Sequence, residues 1–490
     1  MKSKLPLLII IALALFLRTY RPADFLGFWF DQGRDALAIW NFLYVDHKPF
    51  LIGPTTGIEG IFLGPFYYYL IAPFYLLGRG DPVFPAVGLG LITTAAVFLI
   101  YRVTADYFNP KTGLLAAFLY GLSYHTVSYH RWLSNPAPLP FFAILAFWSL
   151  LQIIHSTATR FTWVILGLAI GLSLQLEAAS AIFFLPATAI TLFSYRKSYI
   201  LNRRHAFLGL TFFLITLVPQ LAFNFRHQNI IGQAFARFLV AENSFQPALT
   251  DLLSQRLAFY YEIFTNKFFF YVPTNIAFIV ITLTLGVLVF RRLESKTLTA
   301  SLIWILTPVV LLLFYHGNKG YVWDYYFTGV YPQVFMLVAA VWLAAYRHIR
   351  IAIPAVLILL TMFIYQNLRN HILFLSQPLP GFISLTPIVR AVDWVYEDAA
   401  GSAFNTDVYV PPVIAHAYDY VFLWRGTTKY HTSISAPLVT RLYTLLEPDS
   451  THPQLRDTWL VRQSRLGSIE TEKQFGPITV QRRHRFQNSP

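Results

Sequence analysis

The feature that most limits what this chain can become is a recurrence of apolar runs as long as a bilayer is thick. A membrane-crossing helix needs about 20 consecutive apolar residues. Runs near that length are centred on 5–20, 82–101, 112–130, 137–155, 161–177, 180–195, 206–224, 269–290, 297–315, 326–345 and 351–368. Their number implies about eleven transmembrane helices. Composition agrees: 12% of residues are charged, 56% are hydrophobic and the mean hydropathy is +0.52. A soluble domain carries about 25% charged residues, so lipid solvates most of this chain.

The formal charge of +14 would suit nucleic acid if the basic residues formed one patch. They are instead scattered in short connectors, "YRVTADYFNPK", "HSTATR", "SYRKSYILNRRH", "RRLESK" and "YRHIR", as topology determinants are, which excludes a nucleic-acid partner. There is no cysteine, which removes disulfides, thiolate metal sites and a cysteine nucleophile. The motifs GxSxG, P-loop, HExxH and GxGxxG do not occur, so soluble-enzyme chemistry is not visible. The N-terminal "MKSKLPLLIIIALALFL" has no small-residue cleavage site and reads as a retained first helix.

One segment, "IFLGPFYYYLIAPFYLLG" at 61–78, is ambiguous, with two prolines and several tyrosines. If it does not cross, every basic connector falls on the side of Lys2 and Lys4, as the positive-inside rule prefers. It is therefore expected to lie on the outer face as a juxtamembrane helix. The N-terminus is then cytoplasmic. The outer side receives residues 21–81, the turn 130–138, the loop 225–268, the turn 316–326 and everything after about 372. The last segment, 372–490, has ordinary charge and strand-like alternation and is expected to be a small soluble α/β domain. Its helices are expected near 385–398 and 413–424, with strands near 404–410, 457–463 and 476–485.

Chemistry belongs on that outer rim. "FDQGRDALAIWNFL" places Asp31, Arg34 and Asp35 on one face of a helix, by i, i+3 and i+4 spacing. Asp31 would otherwise serve as an N-cap. "GPTTGIEGIFLG" sets Glu59 in a glycine-rich turn, where the backbone can approach a ligand closely. "YHRWLSNPAP" carries Arg131 and Asn135. An arginine in a short outer turn runs against topology, and a bound phosphate would explain it; Asn135-Pro136 by itself reads as a turn. Glu177 closes a span on the same side, as a flanking acid or as part of the same outer cavity. His125 and His130 are spaced i, i+5, poor for joint metal ligation, and read as interfacial rings. Asp324 in "YVWDYYFTGVYP" reads as interfacial as well.

The order of these features resembles the GT-C glycosyltransferases, integral membrane enzymes that take a sugar from a polyprenyl-phosphate donor on the outer face. The pattern is most similar to bacterial glycosyltransferase family 39, the protein O-mannosyltransferase-like enzymes, and to the lipid A aminoarabinose transferases. It is more distantly similar to the oligosaccharyltransferase catalytic subunit. An acid in the first outer loop precedes a helix, "GPFYYYL" stands where the family has a Pro-aromatic segment, and two spans with an outer turn follow. The likeness covers about the first 200 residues. It implies an all-α polytopic GT-C-like transmembrane domain over 1–371, with the extracytoplasmic α/β domain after it.

The same likeness implies that Asp31 is the catalytic base and that Glu59 and Asn135 hold a divalent cation or position the acceptor; Asn135 stands where relatives often carry an aspartate. Arg34 and Arg131 would bind the donor phosphate, with Asp35 and Glu177 in support. The implied partners are a polyprenyl-phosphate sugar donor, an envelope acceptor (protein, lipid or glycan) and the bilayer. Two other readings stay open at this point, a catalytically degenerate scaffold that binds glycan and a lipid-linked glycan transporter. Transport would ask for ionisable residues at mid-membrane and repeated halves, which the spans lack.

Overall fold

Long apolar stretches bounded by Pro, Asn and Ser fold as helices because the backbone must satisfy its own hydrogen bonds where water is absent. The computed structural model describes residues 4–198, 203–241, 247–316, 320–376, 381–411 and 414–486. Each expected apolar run coincides with helical residues. Among the described residues, five helices are long and apolar enough to cross a membrane: Val83–Tyr107, Arg204–Arg226, Val272–Arg292, Ser295–Leu313 and Ala352–Ser376. Others are apolar but shorter, among them Leu5–Thr19, Leu139–Ile154 and Arg160–Leu176.

The run at 112–130 is broken into Pro110–Leu122 and Tyr124–His130. Ser123 lies extended between them, its side chain accepting from the Thr126 amide and donating to the Lys267 carbonyl at 2.6 Å. A hydroxyl that caps one helix and ties to a distant carbonyl offers the chain an alternative to a continuous helix. Apolar stripes stay bare: Val272, Ile276, Val280, Leu283 and Val287 are all exposed on one helix. Their i, i+4 and i+3 spacing presents one lipid-facing stripe.

The segment between the first helix and Val83–Tyr107 has three main pieces. The loop helix Phe30–Tyr44 begins at the aromatic cluster, and Gln32 returns a side-chain bond to the Trp29 amide as its capping partner. A glycine-rich turn follows, pinned by the Thr55–Phe62 bridge, with Gly60 at φ +80°. The surface helix Phe66–Leu77 then buries Tyr67, Tyr68, Ile71 and Tyr75.

The C-terminal unit is a four-stranded sheet of β1 (Asn405–Tyr409), β2 (Arg441–Leu446), β3 (Gly467–Phe475) and β4 (Ile478–Arg485), in the order β1-β2-β4-β3. β1 and β2 pair in parallel and the others antiparallel. The parallel pair needs a crossover, and the docking helix His416–Arg425 lies within it. Helices at Leu385–Ala399 and His416–Arg425 and strands β1 and β4 fall where the sequence placed them. The strand expected at 457–463 is instead part of a helix, Pro453–Leu466. Its side chains are read at helical spacing: Trp459, Arg462 and Gln463 all donate to Asp407 on β1, at 3.1, 2.7 and 2.7 Å. Strands β2 and β3 were not expected.

This unit is joined to the helical bundle by specific bonds. The Leu385 amide donates to the Leu26 carbonyl at 2.9 Å, the Trp29 indole to the Ile383 carbonyl at 2.8 Å, and the Thr386 hydroxyl to Asp24 at 2.7 Å. Tyr420 of the docking helix is buried against Phe28, Trp40 and Tyr75 and donates to the Gly80 carbonyl.

Candidate active site

The loop helix carries Asp31, Arg34 and Asp35 in its first two turns, and the three side chains meet. Arg34 donates through Nη1 to Asp31 at 2.9 Å and through Nε and Nη2 to Asp35 Oδ1 at 3.0 and 2.8 Å. Nη1 also reaches the Thr55 hydroxyl at 3.0 Å, so the glycine-rich turn is tethered to the same guanidinium. The two acids differ in environment. The Asp31 side chain is 57% exposed, whereas that of Asp35 is 8% exposed. The Tyr68 hydroxyl donates to Asp35 at 2.9 Å. Burial pushes the Asp35 carboxyl up to about 6, against the opposing pull of Arg34 and the Tyr68 hydrogen bond. An exposed acid beside a buried one, both held by the same arginine, is a division of labour that two adjacent carboxyl groups achieve only through environment.

Asp31 also faces a cavity of about 220 Å3 between the first loop and the C-terminal unit. Trp29, Phe30 and Gln32 line it from the loop, Trp132 from the turn after Tyr124–His130, and Val410, Ile414, Tyr418 and Glu447 from the C-terminal unit. Gln32 ties the loop helix to that same turn by donating to the Leu133 carbonyl at 3.1 Å.

The remaining expected residues are distributed differently. Asn135 and Glu177 come together: Asn135 donates to the Leu176 carbonyl at 2.6 Å and hydrogen-bonds the Glu177 carboxylate. Glu177 also accepts from the Ala179 amide at 3.1 Å, the bond of a helix N-cap. Glu59 is exposed in the turn, and among the described residues it has no ion pair. The guanidinium of Arg237 is the nearest charged group to the adjacent glycine, 3.8 Å from the position a Cβ on Gly60 would take.

Arg131 is turned inward. Its Nη1 and Nη2 donate to the carbonyls of Leu17 and Tyr20, both at 2.6 Å, and it stacks over Phe25 and Phe374. It therefore satisfies the free carbonyls that end the first helix, and it is not among the residues that line the cavity. His130 is likewise structural, buried beside Arg18, whose Nε lies 3.3 Å from its Nδ1.

The resemblance brought with it a divalent cation. Among the described residues no group of three or more His, Asp or Glu stands close enough to hold one. Asp35 is already committed to Arg34, and Asn135 to a backbone carbonyl and to Glu177. Hard cations ask for six or more oxygen ligands; this donor set does not fit, and no step is assigned to a metal.

Sequence reasoning missed Glu447 and Tyr418, which bring a second acid to the cavity. It also read Asp324 as merely interfacial, whereas Lys267 pairs with it at 2.6 Å and Tyr331 hydrogen-bonds it. No local pattern marks these residues, because each acquires its partner only through tertiary packing.

Comparison with known proteins places this geometry in context. Residues 63–223 match the family model described as dolichyl-phosphate-mannose-protein mannosyltransferase. The crystal structure of ArnT from Cupriavidus metallidurans bound to undecaprenyl phosphate is similar over 98% of this chain and 98% of its own, with a TM-score of 0.61 at 12% identity. The apo form of that protein matches over 97% of each chain with a TM-score of 0.62 at 12% identity. The archaeal oligosaccharyltransferase AglB from Archaeoglobus fulgidus, in complex with an inhibitory peptide and a dolichol-phosphate, matches over 99% of this chain and 74% of its own, with a TM-score of 0.52 at 12% identity. No curated protein matches. The chain has the GT-C fold, as its first-loop motifs lead one to expect, and it is an integral membrane protein.

Proposed function

We propose that this chain is a membrane glycosyltransferase that moves a sugar from a polyprenyl-phosphate-linked donor to an envelope acceptor on the extracytoplasmic face. In this reading the N-terminus is cytoplasmic and the C-terminal unit extracytoplasmic. The similarity to ArnT bound to undecaprenyl phosphate and to AglB bound to dolichol-phosphate supports a lipid-phosphate donor here. So does the family-model match over 63–223.

The observation that carries the reading is the position of Asp31. It is solvent-open, it lines a cavity, and it is ion-paired at 2.9 Å to an arginine that a buried acid holds in place. Inverting transfer needs a base for the acceptor hydroxyl and a cation for the departing phosphate. Asp31 takes the acceptor proton as the acceptor oxygen attacks the sugar's anomeric carbon. The bond from that carbon to the phosphate oxygen breaks, and the lipid phosphate leaves with one more negative charge. Arg34, beside the base, stabilises that charge, and Asp35 fixes the fork of the guanidinium. Glu59 and Asn135 are assigned to positioning around this centre, with Glu177 orienting Asn135. Arg131 is left out, because its hydrogen bonds go to the end of the first helix.

The test is transfer of label from a radiolabelled polyprenyl-phosphate sugar in membranes containing the full chain. Native protein should transfer label, and Asp31→Asn should lose about 10²-fold or more of the rate, the usual contribution of a general base. No transfer by native protein with any donor sugar tried overturns the reading, and undiminished transfer by the variant removes Asp31 from the mechanism.

A further inference from the structure

The cavity between the first loop and the C-terminal unit has a chemistry of its own. Among the described residues, the ionisable groups that line it are Asp31, Glu447 and the Tyr418 phenol, with no Lys, Arg or His. A space lined by acids, with no cation on its wall, offers a phosphate no charge-assisted partner, so this is not where a phosphate sits. Its volume of about 220 Å3 falls below the range of about 300–1,000 Å3 that whole drug-sized ligands occupy. It has room for a small terminal group.

Its walls suit one class of ligand. Trp29 and Trp132, 45% and 37% exposed, line it, as does Phe30 next to Asp31 in the chain. The Trp29 indole is locked by its bond to Ile383 and by edge contact with Phe382. Fixed aromatic faces pack against the C–H faces of a sugar ring. Vicinal hydroxyls, in turn, donate to carboxylates. Glu447 is 8% exposed, and one of its oxygens accepts from Tyr418 at 2.8 Å. The other oxygen has no hydrogen-bond donor among the described residues. That oxygen opens onto the cavity, where a water or a ligand hydroxyl can supply the donor.

The two walls are also held in fixed register. The docking helix that carries Tyr418 packs on the loop helix that carries Asp31 with backbone in contact at Gly33 and Ala417. We infer that this cavity is a saccharide-binding subsite for the acceptor, in which Glu447 and Trp132 hold a terminal sugar and present one of its hydroxyls to Asp31. This rests on the glycosyltransferase reading for the identity of the bound sugar as acceptor, but sugar binding itself does not require transfer. Glu447 is a positioning residue here: it acts by fixing the hydroxyl that Asp31 deprotonates.

Saturation-transfer difference NMR on the purified full chain in a sugar-free detergent, with mannotriose as the probe, tests it. Native protein should pass saturation to the ring protons of one terminal sugar. At pH 8, above the range in which Glu447 keeps its proton, Trp132→Ala should remove that signal, and Glu447→Gln, which keeps an acceptor for Tyr418, should weaken the affinity about tenfold, the worth of one charge-assisted hydrogen bond. Melting curves identify any variant that has lost its fold; for such a variant, Trp132→Phe and Glu447→Asp take its place, each expected to retain part of the binding. Absence of saturation transfer from native protein overturns the inference, as does equal affinity in folded Trp132→Ala and Glu447→Gln. Saturation of a serine- and threonine-rich peptide in place of mannotriose also overturns it, in favour of a polypeptide acceptor. Transfer of label without sugar binding defeats this inference and leaves the proposed function standing; sugar binding without transfer does the reverse.

Discussion

Gly33 lies so close to Ala417 that a Cβ built on it would stand 2.3 Å from the Ala417 amide nitrogen and 2.3 Å from the His416 carbonyl carbon. A glycine inside a helix costs about 1 kcal/mol relative to alanine, and here that cost allows the loop helix and the docking helix to meet backbone to backbone. Gly33→Ala should therefore destabilise in spite of its better helix propensity, because the obstructing atoms are main chain and cannot rotate away. An overpacking penalty of about 3 kcal/mol is expected. Thermal unfolding in detergent should show it, and limited proteolysis should release a fragment beginning near Leu385 from the variant before it does so from native protein.

Arg34 is the only fork between an exposed and a buried acid in this loop. Arg34→Ala strands the Asp35 carboxyl among Tyr68 and apolar neighbours, and breaking such a buried pair costs about 3–5 kcal/mol. The double variant Arg34→Ala with Asp35→Asn removes the stranded charge and should recover most of the lost melting temperature. Arg34→Lys keeps a charge without the bidentate fork and should fall between the two. If the double variant is no more stable than Arg34→Ala, the burial of Asp35 is not what makes the arginine necessary.

How much of this could be read in advance depends on how local each feature is. The helices were legible because their signal is run length, and the Asp31, Arg34 and Asp35 cluster because i, i+3 and i+4 spacing is local. The contrast between Asp31 and Asp35 was not, since it arises when the surface helix brings Tyr68 over one acid and leaves the other open. Arg131 was read as a phosphate ligand from its position in an outer turn. Its hydrogen-bond partners in the structure, the Leu17 and Tyr20 carbonyls, lie more than a hundred residues away. The alternation in "TWLVRQ" suggested a strand, but the deciding contact is Asp407, which collects Trp459, Arg462 and Gln463 from one helical face. Glu447 follows a buried strand in "LYTLLEPD" and meets the cavity only after the docking helix has packed.

Arg131 makes a sharp prediction because its two possible roles move different measurements. With both terminal nitrogens donating to carbonyls at 2.6 Å and two phenyl rings beside it, Arg131→Ala should cost about 3 kcal/mol, the scale of charged hydrogen bonds lost with nothing to replace them. The donor KM, measured in the transfer assay below the melting temperature, should stay within twofold of native. A donor KM raised tenfold or more with an unchanged melting temperature would return Arg131 to the donor site.

Glu447 gives the pH dependence its sign. Burial raises its carboxyl from 4.5 to about 7, only partly opposed by the Tyr418 hydrogen bond. Between those values the folded chain binds the proton that the unfolded chain has released, so stability falls as pH rises. The contribution is fully present below about 4.5 and is lost as pH passes about 7. Asp31 and Tyr418 share the cavity, so the comparison that isolates Glu447 is with Glu447→Gln, which accepts from Tyr418 but cannot ionise. The two proteins should melt together near pH 4.5, and the variant should become the more stable above pH 7, by an amount on the order of 2–3 kcal/mol. A native curve that runs parallel to the variant across that interval would show that Glu447 ionises in the folded chain as freely as in water, and that the cavity wall around it is open.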